Sequence, residues 1–286
     1  MRSASGSEGA EGRASRLKIV AEMALSAAES NDRTDGGASA PAVDAAPQGP
    51  AAVPTAGPPN WGSRFHLEST WGRVKAWSNM FFVDHGFFRY AYLNLHKIDA
   101  SAYRSAQPGP RHFRRIAKKG VRTVVNLRGG RHFGSYPLER EACHHHGLAY
   151  EEVTLRSREA PRREALRAVA ALLERIEYPA LFHCKSGADR AGLMSALYLL
   201  LKAGRSATEA KAMLALRYGH VRQSKTGVLD AFLDAFEAAQ RAAESEGRSL
   251  DLMTWVEGDY DPVALTKSFR TKPWANWLID DVLRRE

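Results

Sequence analysis

An apolar run, YPALF at 178–182, passes without a spacer into HCKSGADRAG at 183–192 and then into a second apolar run, LMSALYLLL. The first run is too short for a helix and reads as a buried strand. The second is apolar nearly all round and reads as a buried central helix. A buried strand that feeds a buried helix needs a sheet covered on both faces, and the flanking sequence supplies its parts. SAYRSAQP reads as a short strand, and GPRHFRRIAKKG as a helix closed by Gly120, with cations near its C-terminal end where the dipole favours them. VRTVVNL at 121–127 is a buried strand, PLEREACHHHG a helix ending at Gly147, and LAYEEVTL a further strand. PRREALRAVAALLERIEY sets Leu166, Val169, Leu173 and Ile176 at helical spacing after Pro161. Strands alternating with helices of this length predict an α/β fold, a mainly parallel sheet flanked by helices.

Beyond the central helix, SATEAKAMLALRYG opens with Ser206 and Glu209 in capping-box spacing, and GVLDAFLDAFEAAQRAAES is amphipathic. Residues 97–245 therefore form the main domain, and 246–286 a helical appendage packed by tryptophans. Residues 1–60 are rich in Gly, Ala, Ser and Pro and almost without aromatics, so they are expected to be a disordered tail. Within that tail RLKIVAEMALSAA can form a short helix, but Glu22 spoils it as a signal peptide. Residues 61–96 form an aromatic and basic lead-in. In it, WGRVKAWSNMFFVDHGFFRYAYLN at 71–94 is expected to pack as a helix and turn, with an interfacial membrane helix as the alternative.

No stretch is apolar for the length of a membrane span. Two cysteines, Cys143 and Cys184, give no disulfide framework, and a reducing cytoplasm is the expected compartment. The net charge is +9, made of −2 in residues 1–60 and +11 in the rest. A basic domain suits an anionic partner. With no zinc-finger spacing, RNA-binding motif or helix-turn-helix, a phosphorylated protein or small phosphorylated substrate is expected rather than nucleic acid. CHHH at 143–146 invites a metal reading, but consecutive helical residues point apart, so neither metal nor cofactor is expected.

The segment HCKSGADRAG has three linked properties: it follows a strand, contains glycines and leads into a helix. Backbone N–H groups in such a turn point inward, and the helix N-terminus adds partial positive charge, which together make an anion cradle. The loop is Lys185, Ser186, Gly187, Ala188 and Asp189. Arg190 can add a two-pronged clamp on phosphate oxygens. In that field the Cys184 thiolate is stabilised and becomes a nucleophile near neutral pH.

With Cys184, five residues and then Arg190, HCKSGADR resembles the H-C-x5-R signature of the protein tyrosine and dual-specificity phosphatases. YRSAQP and VRTVVNLRG are similar to segments of the atypical bacterial dual-specificity-like members, including those related to domains fused to NAD kinases. The resemblance spans roughly 97–240. A rhodanese loop also begins with cysteine, but His183, Arg190 and YRSAQP favour phosphatase.

The resemblance implies a phosphatase that works through a cysteinyl phosphate. Cys184 would attack phosphorus, Arg190 hold the equatorial oxygens, and His183 bond backbone near the cysteine. The usual acid, an Asp about thirty residues upstream, is missing from TLRSREAPRREA. Asp189 in the loop is the preferred proton donor and Glu159 the alternative. Ala191 stands where the family often has Ser or Thr, which implies slower breakdown of the intermediate. Arg156, Arg158, Arg162 and Arg163 suggest a strongly positive mouth. Substrates implied are phosphotyrosine, phosphoserine or phosphothreonine proteins. Phosphoinositides, inositol phosphates or phospholipids are alternatives, and so is a weak phosphate-binding pseudophosphatase.

Overall fold

The computed structural model describes residues 63–269, so the tail expected at 1–60, the short helix expected at 16–28, and the end of the C-terminal appendage including Trp274 and Trp277 lie outside the described residues. Five strands form one sheet: β1 His96–Lys97, β2 Ala102–Ala106, β3 Thr123–Asn126, β4 Ala149–Glu152 and β5 Ala180–Cys184, in the order β1-β2-β5-β3-β4. All neighbours are parallel except β1 with β2. The mainly parallel α/β sheet flanked by helices is therefore as expected. β1 is new: two residues are too few to show a period.

Helices cover both faces. In the lead-in, α1 is Thr70–Ser78 and α2 is Gly86–Ala91. Within the domain, α3 is Pro110–Lys118, α4 Ser135–His145, α5 Arg163–Arg175 and α6 Asp189–Leu201. Then come α7 Ala207–Lys211, α8 Val228–Ser245, α9 Leu252–Glu257 and α10 Pro262–Ser268. The two-residue period of β5 sorts the core. Ala180, Phe182 and Cys184 join the cluster made with α5, α6 and α8, while Leu181 joins the opposite cluster with Phe113, Ile116 and Cys143. α6 is buried nearly all round, as its composition requires. α5 stops at Arg175, and Ile176 packs from its capping position.

SATEAKAMLALRYG is shorter as a helix than its sequence predicts. Ser206 and Glu209 do form the capping box, but α7 ends at Lys211. The carbonyl of Met213 is taken by Arg104 Nη1 at 2.5 Å, and Gly219 turns the chain at φ +87°. In the appendage Trp255 is buried against Phe232, Phe236 and Tyr260, with ring centroids 4.8–5.7 Å away.

The 71–94 segment packs on the domain. α1 runs into a wider π turn over Asn79–Val83. Leu67, Ala76 and Met80 bury against Leu138 of α4. Asp84 is the anchor, with a fully buried side chain. Arg89 Nη2 reaches it at 2.7 Å, Arg128 at 2.5 and 2.8 Å, and Ser135 Oγ at 2.7 Å. Burial alone would raise its pKa, but Arg128 and Arg89 outweigh that and hold it below the usual carboxylate range. Removing one partner of such a buried cluster strands the other charges. Asp84→Asn should therefore cost about 3 kcal/mol or more in urea unfolding, although residue 84 precedes the main domain.

Candidate active site

β5 lies between β2 and β3, and Cys184 is its last residue, paired in register with Ala106. The site thus sits at the carboxyl end of a central parallel strand, where open α/β sheets collect their ligands. From there the chain turns through Lys185–Ala188 into α6, whose first two residues are Asp189 and Arg190. Only glycine fits position 187. Its φ is +76°, and a Cβ there would lie 2.5 Å from the backbone nitrogen of Ala106.

Four successive loop carbonyls are bound from outside. The carbonyl of Lys185 accepts from the Gln107 N–H at 3.4 Å, and that of Ser186 from Asn94 Nδ2 at 3.1 Å. Those of Gly187 and Ala188 accept from Arg104 Nη2 at 2.7 and 2.8 Å. In a planar trans peptide the following N–H points opposite to the carbonyl. The N–H groups of residues 186–189 are thereby turned away from these anchors. The Gly187 N–H shows the result: it donates to Cys184 Sγ at 3.3 Å. The N-terminus of α6 adds its partial charge on the same side.

Arg104 is fully buried in β2, its guanidinium 4.1 Å from the ring centre of Tyr218. Burial pushes its pKa down to about 10, against the pull of Cys184, Tyr218 and Asp189, so it stays charged near neutrality. Asn94 ties the loop to the 216–219 turn, since its Nδ2 also donates to the Tyr218 carbonyl at 3.0 Å.

His183 points to the opposite face of the sheet from Cys184. It does not bond backbone near the cysteine. Its Nε2 lies 2.5 Å from Glu139 Oε1 on α4 with both side chains fully buried, but neither atom makes a well-aligned hydrogen bond, and its Nδ1 has no partner among the described residues. Glu139 accepts from Gln107 Nε2 at 2.6 Å, and Gln107 Oε1 from Arg128 Nη1 at 2.7 Å. A hydrogen-bonded chain therefore runs from Glu139, against which His183 packs, to the Asp84 cluster.

Asp189 is buried and bound. His220 Nδ1 lies 2.6 Å from its Oδ1, and His220 Nε2 lies 2.6 Å from Asp230 Oδ2 on α8. Burial would lower the pKa of His220, but the bonds and charges of the two carboxylates dominate and raise it to about 9. The ring is protonated near neutrality and donates to both.

The other predicted residues divide. Arg190 is half-buried at the start of α6, and Lys185, Ser186 and Ala188 form the loop with Gly187. Glu159 sits in the 155–161 loop between Arg156 and Arg162, at 3.4 and 3.3 Å. Arg163 does not extend a positive mouth: it donates to the Tyr260 and Gly258 carbonyls and ties the appendage to α5. Cys143 is buried, which raises its thiol well above the usual range, while His144 and His145 are exposed. Among the described residues no three potential ligands gather around a common point. The sequence reading missed Arg104, Asn94, Gln107, Glu139, His220 and Asp230. A signal existed for two of them: Arg104 interrupts a strand that must be buried, and Gln107 follows its last residue.

Two expectations follow. Arg104→Lys keeps charge but loses the fork that holds two carbonyls and the Met213 turn. Vanadate should bind about tenfold more weakly or worse, measured by competition against an aryl phosphate. The raised value of His220 means that its pairing stabilises the fold fully below about pH 6.5, and that this is lost as pH rises through about 9. The loss is about 3 kcal/mol. The melting temperature should fall over that window, and His220→Gln should flatten the fall.

Comparison with protein-family models matches residues 98–204 to a family described as "Polymorphic toxin system, DSP-PTPase phosphatase". No curated protein matches the chain. Among solved structures, Pseudomonas aeruginosa TpbA is similar at 21% identity and TM-score 0.41, covering 52% of this chain and 91% of its own. The active form of Tk-PTP gives 24% and 0.40, covering 51% and 98%. PTPMT1 gives 21% and 0.38, covering 52% and 99%. The segment from β2 through α6 that builds this loop thus resembles the DSP-PTPase phosphatases, in agreement with its H-C-x5-R spacing.

Proposed function

We propose that this chain hydrolyses phosphate monoesters through a cysteinyl phosphate, as a dual-specificity-like phosphatase. The observation that carries the reading is the outward anchoring of four consecutive carbonyls around a buried thiol at a helix N-terminus, with the Gly187 N–H donating to that thiol. Cys184 Sγ attacks phosphorus as the ester oxygen leaves. The N–H groups and Arg190 take up the equatorial charge. Water then attacks the phosphocysteine and releases phosphate and the thiolate. Ala191 offers no hydroxyl to that departing thiolate, so the second step is the slower one.

The leaving oxygen needs a proton. Asp189 remains the preferred donor: it accepts at 2.6 Å from a histidine protonated up to about pH 9, so it would pass the His220 Nδ1 proton to the leaving oxygen, leaving the ring neutral and itself a carboxylate. Glu159, held between two arginines, is the alternative. Phosphorylated side chains of proteins are the substrates that the resemblance suggests. A second reading, a phosphate carried by an amphiphile, is favoured by an apolar-walled cavity beside the loop.

Wild type should hydrolyse an aryl phosphate without added metal, with vanadate inhibition and indifference to EDTA, and Cys184→Ser should lose turnover while still binding phosphate. Substantial residual hydrolysis in that variant contradicts the covalent route. For the acid, Asp189→Asn should lose about 100-fold or more on an alkyl phosphate and far less on an aryl one. Glu159→Gln should change both little, and the reverse pattern would move the role to the 155–161 loop.

A further inference from the structure

A cavity of about 870 Å³ opens beside Lys185 and Ser186 of the loop. Phe87, Phe88, Tyr92 and Leu216 line it, exposed to 47%, 67%, 67% and 75%. The two residues that end the π turn, Phe82 and Val83, are 77% and 58% exposed. Within eleven residues, 82–92, five large apolar side chains thus face water next to the catalytic loop. Each gives up about 1.5–3 kcal/mol relative to burial, and soluble monomers rarely keep such residues together without use.

The segment cannot roll them inward. Asp84 and Arg89 already occupy its inward positions, Asp84 bound to Arg128 and Ser135 and Arg89 bound to Asp84, so turning the aromatics in would expose or break that buried cluster. The exposed face is a consequence of the anchor beneath it.

Charge says what the face meets. None of the described residues lining the cavity is acidic, and Lys185 and Arg217 stand among the apolar walls. Residues 64–97 carry five Lys and Arg against two acids; setting aside the buried pair Arg89–Asp84, that leaves four cations and one acid. An aromatic surface with a cationic border is the composition of an interfacial membrane contact. A phosphopeptide would use the cavity walls and leave Phe82 and Val83, which lie outside it, unexplained.

We infer that the 82–92 face and Leu216 dock on an anionic lipid bilayer, setting the mouth of the catalytic loop against phosphate monoesters of lipid head groups. The docking stands on its own; the substrate class rests on the phosphatase reading above.

The test uses the full chain carrying Cys184→Ser, sedimented with phosphatidylcholine vesicles and with vesicles in which a third of that lipid is phosphatidylglycerol. Binding to the second and not the first is expected. Adding Phe82→Ser and Val83→Ser should weaken it about tenfold or more. The same pair in the otherwise wild-type chain should leave aryl phosphate hydrolysis unchanged, which also shows that it folds. Absent binding to the anionic vesicles, or binding that the pair does not weaken, overturns the inference. So does a pair that spares vesicle binding and lowers phosphopeptide turnover, since the face would then dock protein. If the wild-type chain binds vesicles but hydrolyses no aryl phosphate, the docking holds and the phosphatase reading falls.

Discussion

The fork of Arg104 is the contact on which the site depends. One guanidinium, fully buried in the strand beside β5, holds the carbonyls of Gly187, Ala188 and Met213. The first two orient the peptides that carry the Ala188 and Asp189 N–H groups, next to the Gly187 N–H that meets the thiol and whose own peptide Asn94 holds. The third draws the 213–219 turn against the loop and brings Tyr218 under the guanidinium. A buried charge is costly unless bonded, and here every bond it makes is to backbone that must be held. Gly192 belongs to the same arrangement: a Cβ there would lie 2.7 Å from Leu214 and 3.3 Å from Arg104 Nη2.

A second set of buried charges ties the lead-in to the loop from the other face of the sheet. Asp84, Arg128, Gln107, Glu139 and His183 follow one another at hydrogen-bonding distance, and Gln107 also touches the loop through its own N–H. The lead-in thus shares the polar interior of the domain. The anchoring that gives it this place also keeps its aromatic residues outside.

Much of this was legible in the sequence. The alternating apolar runs located β2 to β5 and the helices between them, because buried parallel strands are short, β-branched and bounded by turns. Cys184, Gly187 and Arg190 were legible because an anion cradle at a strand-to-helix turn needs those types at that spacing. What supports the loop was not. Asn94, Glu139, His220 and Asp230 come from four distant segments, and their roles arise from tertiary approach that no local period records. His220 lies thirty-one positions after Asp189, in the turn before α8, and only tertiary packing brings the two together. α7 was overread for the same reason: its propensity continues past Lys211, but Met213 and Leu214 N–H close the last turn onto Ala210 and Lys211, and Arg104 holds the Met213 carbonyl of the turn that follows.

The central claim is that Cys184, held in this loop, becomes phosphorylated. Rapid acid quench of wild type during turnover of an aryl phosphate, followed by mass mapping of its peptides, tests it directly. With Ala191 behind the thiol, the phosphocysteine should accumulate, and the phosphate should appear on the peptide that contains Cys184 and be absent from the Cys184→Ser chain. Steady turnover with no phosphate on that peptide, or with the phosphate on another residue, would contradict the account.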